Sequence, residues 1–188
     1  MLPVGPLHKD SWEVRPIDPS LGRNLIVQHH YTRSVSKLCV ACFGLFHKEF
    51  DVLFGVTWWL PPTRRAAEAS YEEPNRVLSL SRMVLIPSAP KNSASFMLSK
   101  SVKMLDTRWK CLVTYADTWQ GHTGEVYKSS GWTYVGKTTP TWIYTKNGIS
   151  QTRKRGKVNL THQNMLDLGF TPVGKFYKHK YVKLRKVH

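Results

Sequence analysis

Asp117 and Tyr127, ten positions apart, are the pair in this chain best suited to moving protons. Leu112-Val113-Thr114-Tyr115 reads as a buried strand, so Asp117 falls just past its carboxyl end, where open α/β sheets bind ligands. The next turn predicts a helix from about Gly121, with His122 at its start and Gly131 as the left-handed residue that ends it. Tyr127 then sits on the last turns of that helix and can lean back over the strand end. The same residues also suit duller roles, a turn former for Asp117 and a core aromatic for Tyr127.

Other elements must build the sheet that carries this crevice. Residues 12–17 alternate like a first strand. Asp18-Pro19-Ser20 is a helix start with Pro in the first turn, for a helix through Leu21, Leu25, Ile26 and Val27 toward His29-His30-Tyr31. Strands over about 38–46 and 52–59, joined by His47-Lys48-Glu49, read as an antiparallel meander. Residues 61–75 lack apolar periodicity and predict a loop or a short irregular helix. A long strand over 77–86 runs into Pro87-Ser88-Ala89-Pro90. Asn92 or Ser93 then caps a helix carrying Phe96, Met97, Leu98, Val102, Met104 and Leu105, ending near Asp106. Two further strands fall over 132–136 and 141–144. This order predicts an α/β fold with a mixed, largely antiparallel sheet and helices on both faces.

Charge indicates the partner. Among 188 residues there are 28 Lys plus Arg against 12 Asp plus Glu, a formal charge of +16. Such an excess calls for an extended anionic partner, nucleic acid before a membrane surface. No apolar run of about 18 residues or basic anchor helix supports a membrane. Pro3, Pro6, His8 and Asp10 break any signal-peptide core, so a soluble cytoplasmic protein is expected. A hydrophobic content of 41% with 12% aromatics argues against disorder and for one core domain, over 1–145.

From 146 to 188 the character changes, with 11 of the 28 basic residues and a single acid, Asp167. This extension, expected to pack on the same domain, reads as a basic loop over 151–157, a short helix over 160–168 and a basic hairpin or paired strand over 170–184. Arg153, Lys154, Arg155, Lys157, Lys178 and Lys180 are its candidate phosphate contacts. Phe176, Tyr177 and Tyr181, interleaved with them, offer rings for exposed bases.

No metal site is expected. Cys39 and Cys42, three apart on a strand, point to opposite faces, and adjacent His29 and His30 on a helix diverge by about 100°.

The order of elements resembles the GNAT acyltransferase fold, in which a strand leads into a helix whose amino end binds a pyrophosphate. The corresponding segment here, Ile86-Pro87-Ser88-Ala89-Pro90-Lys91-Asn92-Ser93-Ala94-Ser95, has no glycine and two prolines, which argues against ordinary acetyl-CoA use. A narrower set of motifs resembles the Mom family of phage DNA modification proteins. It comprises Ser81-Arg82 at a strand end, Pro-x-x-x-x-Asn-x-x-Ser before the helix, Tyr115-Ala116-Asp117, Gly121-His122-x-Gly124-x-x-Tyr127, Gly131-Trp132 and His30-Tyr31. The resemblance covers roughly residues 25 to 145.

That resemblance implies an enzyme that converts adenine in double-stranded DNA to N6-carbamoylmethyladenine, shielding phage DNA from restriction in the cytoplasm of a bacterial host. Carried over, the catalytic candidates are Arg82, Asp117 and Tyr127, with Ser95 and His122 beside them, and His30, Tyr31, Asn92 and Trp119 are the substrate contacts. Asp117 could serve as base near the poorly nucleophilic N6, Arg82 could hold an oxyanion, and Tyr127 could protonate a leaving group or stack on an extruded base. Duller alternatives stay open: Arg82 paired with a core carboxylate, Ser95 an interior helix hydroxyl, His122 a cap. A carbamoylmethyl group has the atoms of glycinamide, which suggests a glycyl donor such as glycyl-tRNA. The rival readings are an acetyltransferase using acetyl-CoA on a protein or small-molecule amine, and a non-catalytic DNA-binding protein.

Overall fold

The Asp18 carboxylate accepts from the Ser20 N–H at 2.7 Å and fixes the first turn of the first helix, where the Asp-Pro-Ser signal placed it. The computed structural model describes residues 7–155 and 158–185. In chain order the first half runs β1 (Trp12–Pro16), α1 (Pro19–His29), β2 (Ala41–His47), β3 (Val52–Leu60), α2 (Arg64–Glu68), β4 (Val77–Leu85) and α3 (Ser93–Met104). The second half runs β5 (Cys111–Asp117), α4 (Glu125–Ser129), β6 (Thr133–Lys137), β7 (Thr141–Lys146), β8 (Ile149–Gln151), β9 (Lys154–Arg155), β10 (Val158–Asn159), α5 (His162–Asp167), β11 (Thr171–Phe176) and β12 (Lys178–Leu184).

Seven strands form the main sheet in the order β1-β2-β3-β4-β5-β12-β6. Among the described residues all its neighbours are antiparallel except β4 and β5. A smaller sheet has the order β11-β7-β8, and β9 pairs with β10 alone. The central strands β2 and β3 are buried along most of their length, as strands covered on both faces must be. Trp58 joins Ile26 of α1, while its neighbour Trp59 joins Leu98 and Val102 of α3. The helices therefore cover opposite faces, with no solvent exposure left at Ile26, Trp58, Trp59 or Leu98. Truncating Leu98 to Ala leaves a cavity under β4 and is expected to cost about 2–5 kcal/mol, read as a lowered midpoint in urea unfolding.

The site depends on where pairing stops. β4 and β5 are parallel partners only over Val77–Ser79 against Cys111–Val113, although both strands continue. Beyond that point they separate, and the Thr114 hydroxyl reaches the Leu80 carbonyl at 3.3 Å where backbone pairing has ended. β4 also carries one extra residue at Ser81, since Trp58 pairs with Arg82 and Trp59 with Leu80. Such a bulge bends a strand and re-aims the next side chain, here Arg82.

Four expectations need correction. Of the hairpin or paired strand expected over 170–184, the hairpin does not form and the strands are paired elsewhere: β11 pairs with β7, and β12 lies between β5 and β6. The basic loop over 151–157 contains β9 and half of a short ladder, with Val158 opposite Arg155. The helix expected from Gly121 starts at Glu125, because Gly121 and Gly124 both take left-handed φ, 70° and 82°. A Cβ at Gly124 would overlap the ring of buried Tyr181, so that position holds glycine for both conformation and space. Lastly, β2 begins at Ala41, which leaves Cys39 before the strand.

Candidate active site

Asp117 is the last residue of β5 and is buried. One carboxylate oxygen, Oδ1, accepts from the Trp119 N–H at 3.2 Å, capping the single turn that follows. The other, Oδ2, accepts from the Tyr31 hydroxyl at 3.0 Å and lies 3.1 Å from Lys178 Nζ. The pairing of β12 with β5 explains the lysine, since Lys178 is the register partner of Asp117. Burial, then the adjacent Asp117 carboxylate, pushes the Tyr31 phenol above its usual range, so Tyr31 stays a proton donor.

His30 follows the last residue of α1 and stacks on Tyr31 with ring centres 4.2 Å apart. Its Nδ1 lies 3.1 Å from the Thr32 N–H and 2.8 Å from the Thr32 hydroxyl. Burial first, and then the neighbouring Arg82, His122 and Lys178, lower the His30 pKa to about 4. The ring is thus a neutral imidazole at physiological pH.

Arg82 donates from Nε to the Ser34 carbonyl at 3.1 Å and from Nη1 to the Ser81 carbonyl at 2.7 Å. Both partners are neutral, and among the described residues Arg82 forms no salt bridge. Burial pulls its pKa down while Tyr31 and Asp117 oppose the shift. A guanidinium held by carbonyls near a carboxylate, and not neutralised by it, keeps charge for a ligand.

Tyr127 on α4 packs on Trp132 and Tyr181 with ring centres 5.9 and 5.4 Å away. Burial raises its pKa, a hydrogen bond with Thr114 acting the other way, so the phenol is protonated at neutral pH. His122 is exposed, with its ring edge toward Tyr31 at 6.1 Å between centres. The gap between β4 and β5 holds a cavity of about 540 Å³, lined by His30, Tyr31, Arg82, Asp117, His122 and Tyr127 among others. A second groove of about 550 Å³ shares Tyr31, Arg82, Asp117 and Lys178 with the first and runs on past Trp119, Ile149 and Lys154. Two openings therefore meet at one set of polar groups.

Of the remaining sequence candidates, Trp119 stays beside the site and the others lie elsewhere. Ser95 and Asn92 line a separate cavity of about 460 Å³ with Lys9, Lys100 and Lys103, and the Ser95 hydroxyl donates to the Asn92 carbonyl at 3.1 Å. Trp119 lies in the second groove and packs at 5.0 Å on Phe176. Lys180 donates to the Ala69 carbonyl at 3.0 Å, and burial lowers its pKa. Arg153 and Lys154 line a basic cavity beside the small sheet. Lys157 and the Arg155 side chain lie outside the described residues. Sequence reasoning placed Lys178 with the phosphate contacts and missed its bond to Asp117, because only the register of β12 reveals it.

The chain was compared with known families and structures. The description "Mom protein family" matches it over residues 11–186. The chain belongs to the Mom protein family. No curated protein sequence matches it. In overall fold this Mom family member is similar to solved GNAT acetyltransferases. Arabidopsis thaliana NAA60 in complex with acetyl-CoA shares 11% identity over 92% of this chain and 98% of that one, at a TM-score of 0.60. The putative acetyltransferase yncA from Salmonella typhimurium, with its cofactor acetyl-CoA, shares 9% over 95% and 96%, at 0.56. Spermidine N-acetyltransferase from Vibrio cholerae, in complex with CoA and spermine, shares 10% over 94% and 96%, at 0.53.

The loop between β4 and α3 of this Mom family member offers a pyrophosphate fewer N–H donors than its length would allow. Pro87 and Pro90 have no N–H, and the N–H groups of Ala89 and Ser93 already bond to the carbonyls of Ile86 and Pro90. Among the described residues no three His, Cys, Asp or Glu side chains converge as for a metal, and no helix is long and apolar enough to cross a membrane.

Proposed function

We propose that this Mom family member is a GNAT-like transferase that converts adenine in double-stranded DNA to N6-carbamoylmethyladenine and so protects the DNA from restriction in a bacterial cytoplasm. The observation that carries the reading is the meeting of two openings at Tyr31, Arg82, Asp117 and Lys178. A group transfer between two large substrates needs such a meeting point. The crevice between β4 and β5 admits the acyl end of the donor, and the groove toward Lys154 takes the DNA, in keeping with a charge of +16. Adenine must leave the duplex to reach Asp117, as bases do in enzymes that act on them.

The amine N6 is a weak nucleophile because its lone pair is delocalised into the ring. Asp117 takes the N6 proton as the bond to the acyl carbon forms. Arg82 faces the oxyanion that develops, and neutral Tyr127 gives its proton to the leaving oxygen. Tyr31 and Lys178 hold the Asp117 carboxylate in place from the side. The donor that balances atoms most simply is a glycyl ester such as glycyl-tRNA, since adenine plus a glycyl ester gives the product and a free alcohol.

Nucleoside mass spectrometry of DNA from cells expressing the protein tests the reading. A deoxyadenosine heavier by one carbamoylmethyl group is expected. Unmodified adenine throughout, with soluble expression confirmed, sinks it.

A further inference from the structure

A cavity of about 700 Å³ lies beside the small sheet, away from the β4–β5 crevice, with Trp142, Arg153, Lys154, Asn159 and Lys175 among its walls and no acidic residue. Trp142 on β7 is the register partner of Lys175 on β11, whose Nζ stands 5.8 Å from the indole centre. The indole also packs on His162 and Tyr144, with ring centres 5.7 and 6.2 Å away. Tyr144 is fully buried, and its hydroxyl lies 2.7 Å from His162 Nδ1, so this support is rigid. The result is a half-buried ring, fixed from behind, on the wall of a cationic cavity. Thr152 and Lys154 line both this cavity and the groove that ends at Arg82, Asp117 and Lys178.

We infer that this cavity binds a nucleobase of the DNA strand beside the adenine being modified, stacked on Trp142, with the neighbouring phosphates against Arg153, Lys154 and Lys175. The inference rests on the DNA-modification reading and names the surface that grips the strand while the adenine is extruded. Extrusion sacrifices stacking and pairing, and a fixed indole returns part of that loss to the neighbouring base. Every base has a π-face, so this grip tolerates sequence. The cavity adjoins the basic groove and not the crevice assigned to the donor, which favours the DNA strand as occupant.

Fluorescence anisotropy of a dye-labelled duplex with one unpaired adenine tests it on the full chain. Trp142→Ala should bind about 5-fold to 150-fold more weakly than wild type with an unchanged salt slope, and Trp142→Phe should recover most of the loss. Lys175→Gln should instead lower the salt slope by roughly one counterion. Because the indole supports Tyr144, the Ala variant could also disturb the small sheet. A second ligand, with abasic nucleotides flanking the adenine, separates the cases. Wild type should bind it more weakly by the same factor, and Trp142→Ala should lose nothing further. Equal binding of the intact duplex by wild type and Trp142→Ala overturns the inference, as do losses that simply multiply. A loss confined to labelled tRNA, with DNA binding intact, overturns it as well. Failure of the parent reading looks different, with Trp142-dependent DNA binding intact while digested DNA shows no modified adenine.

Discussion

Asp117→Ala is expected to lower the rate of DNA modification by about 10²-fold to 10⁴-fold, the range for a general base, with the protein still folded. Asp117→Asn is the more telling variant. The amide keeps the shape and can still accept from Tyr31, yet it cannot take a proton from N6 and leaves Lys178 without its anion. Both variants should therefore fall together, whereas a carboxylate that only shaped the turn through the Trp119 N–H would let Asn substitute well. Single-turnover assays on a defined duplex, read by nucleoside digestion, give the rate, and thermal melting checks the fold. Arg82→Ala and Tyr127→Phe should lose activity through the oxyanion and the leaving group. Normal turnover in Asp117→Asn would remove this residue as the base.

The sequence made the strand that carries Asp117 legible, because Leu112-Val113-Thr114-Tyr115 is rich in β-branched and aromatic residues, with Leu112, Val113 and Thr114 buried in the sheet. It made α1 legible through the Asp18 cap, and the sheet with helices on both faces through the order of elements. It did not show how α4 is shortened. That depends on Gly124 lying against the ring of Tyr181, a contact between residues far apart in the chain. Of the hairpin or paired strand expected over 170–184, the hairpin failed for the same reason. Its two halves alternate and carry basic residues as hairpin strands do, but β12 finds partners on both sides in the main sheet and β11 pairs with β7. Local pattern gives strands and not their neighbours. The bond between Lys178 and Asp117 is hidden by that same gap. Ser95 and Asn92, at the start of α3, sit in a different cavity with Lys9, Lys100 and Lys103.

Isotopic nitrogen supplied in glycine should end on purine carbon C6 as the new N6, with the original exocyclic nitrogen becoming the amide of the product. The chemistry dictates that inversion. Acylation of N6 by a glycyl ester forms the N6–acyl bond and breaks the ester C–O bond, the alcohol leaving with a proton. The glycyl amine then lies within reach of C6 and closes a five-membered spiro ring. Breaking the bond from C6 to the original nitrogen restores the aromatic purine, now bearing NH–CH2–CO–NH2, with no atom gained or lost. The protein's groups suit both steps. In the proposed route Asp117 would move a proton at each nitrogen, and Arg82, whose bonds go to neutral carbonyl and hydroxyl oxygens, would be available to the oxygen that becomes anionic twice. The loop between β4 and α3 fits this better than a coenzyme A route, because the N–H groups of Ala89 and Ser93 are spent inside the loop. Tandem mass spectrometry of the modified nucleoside from cells fed labelled glycine locates the label by whether loss of the amide nitrogen removes it. Label retained on the purine ring fragment supports the rearrangement, and label in the amide excludes it. A modified base with no label from glycine removes the glycyl donor, and leaves the transfer itself to be explained by another acyl source.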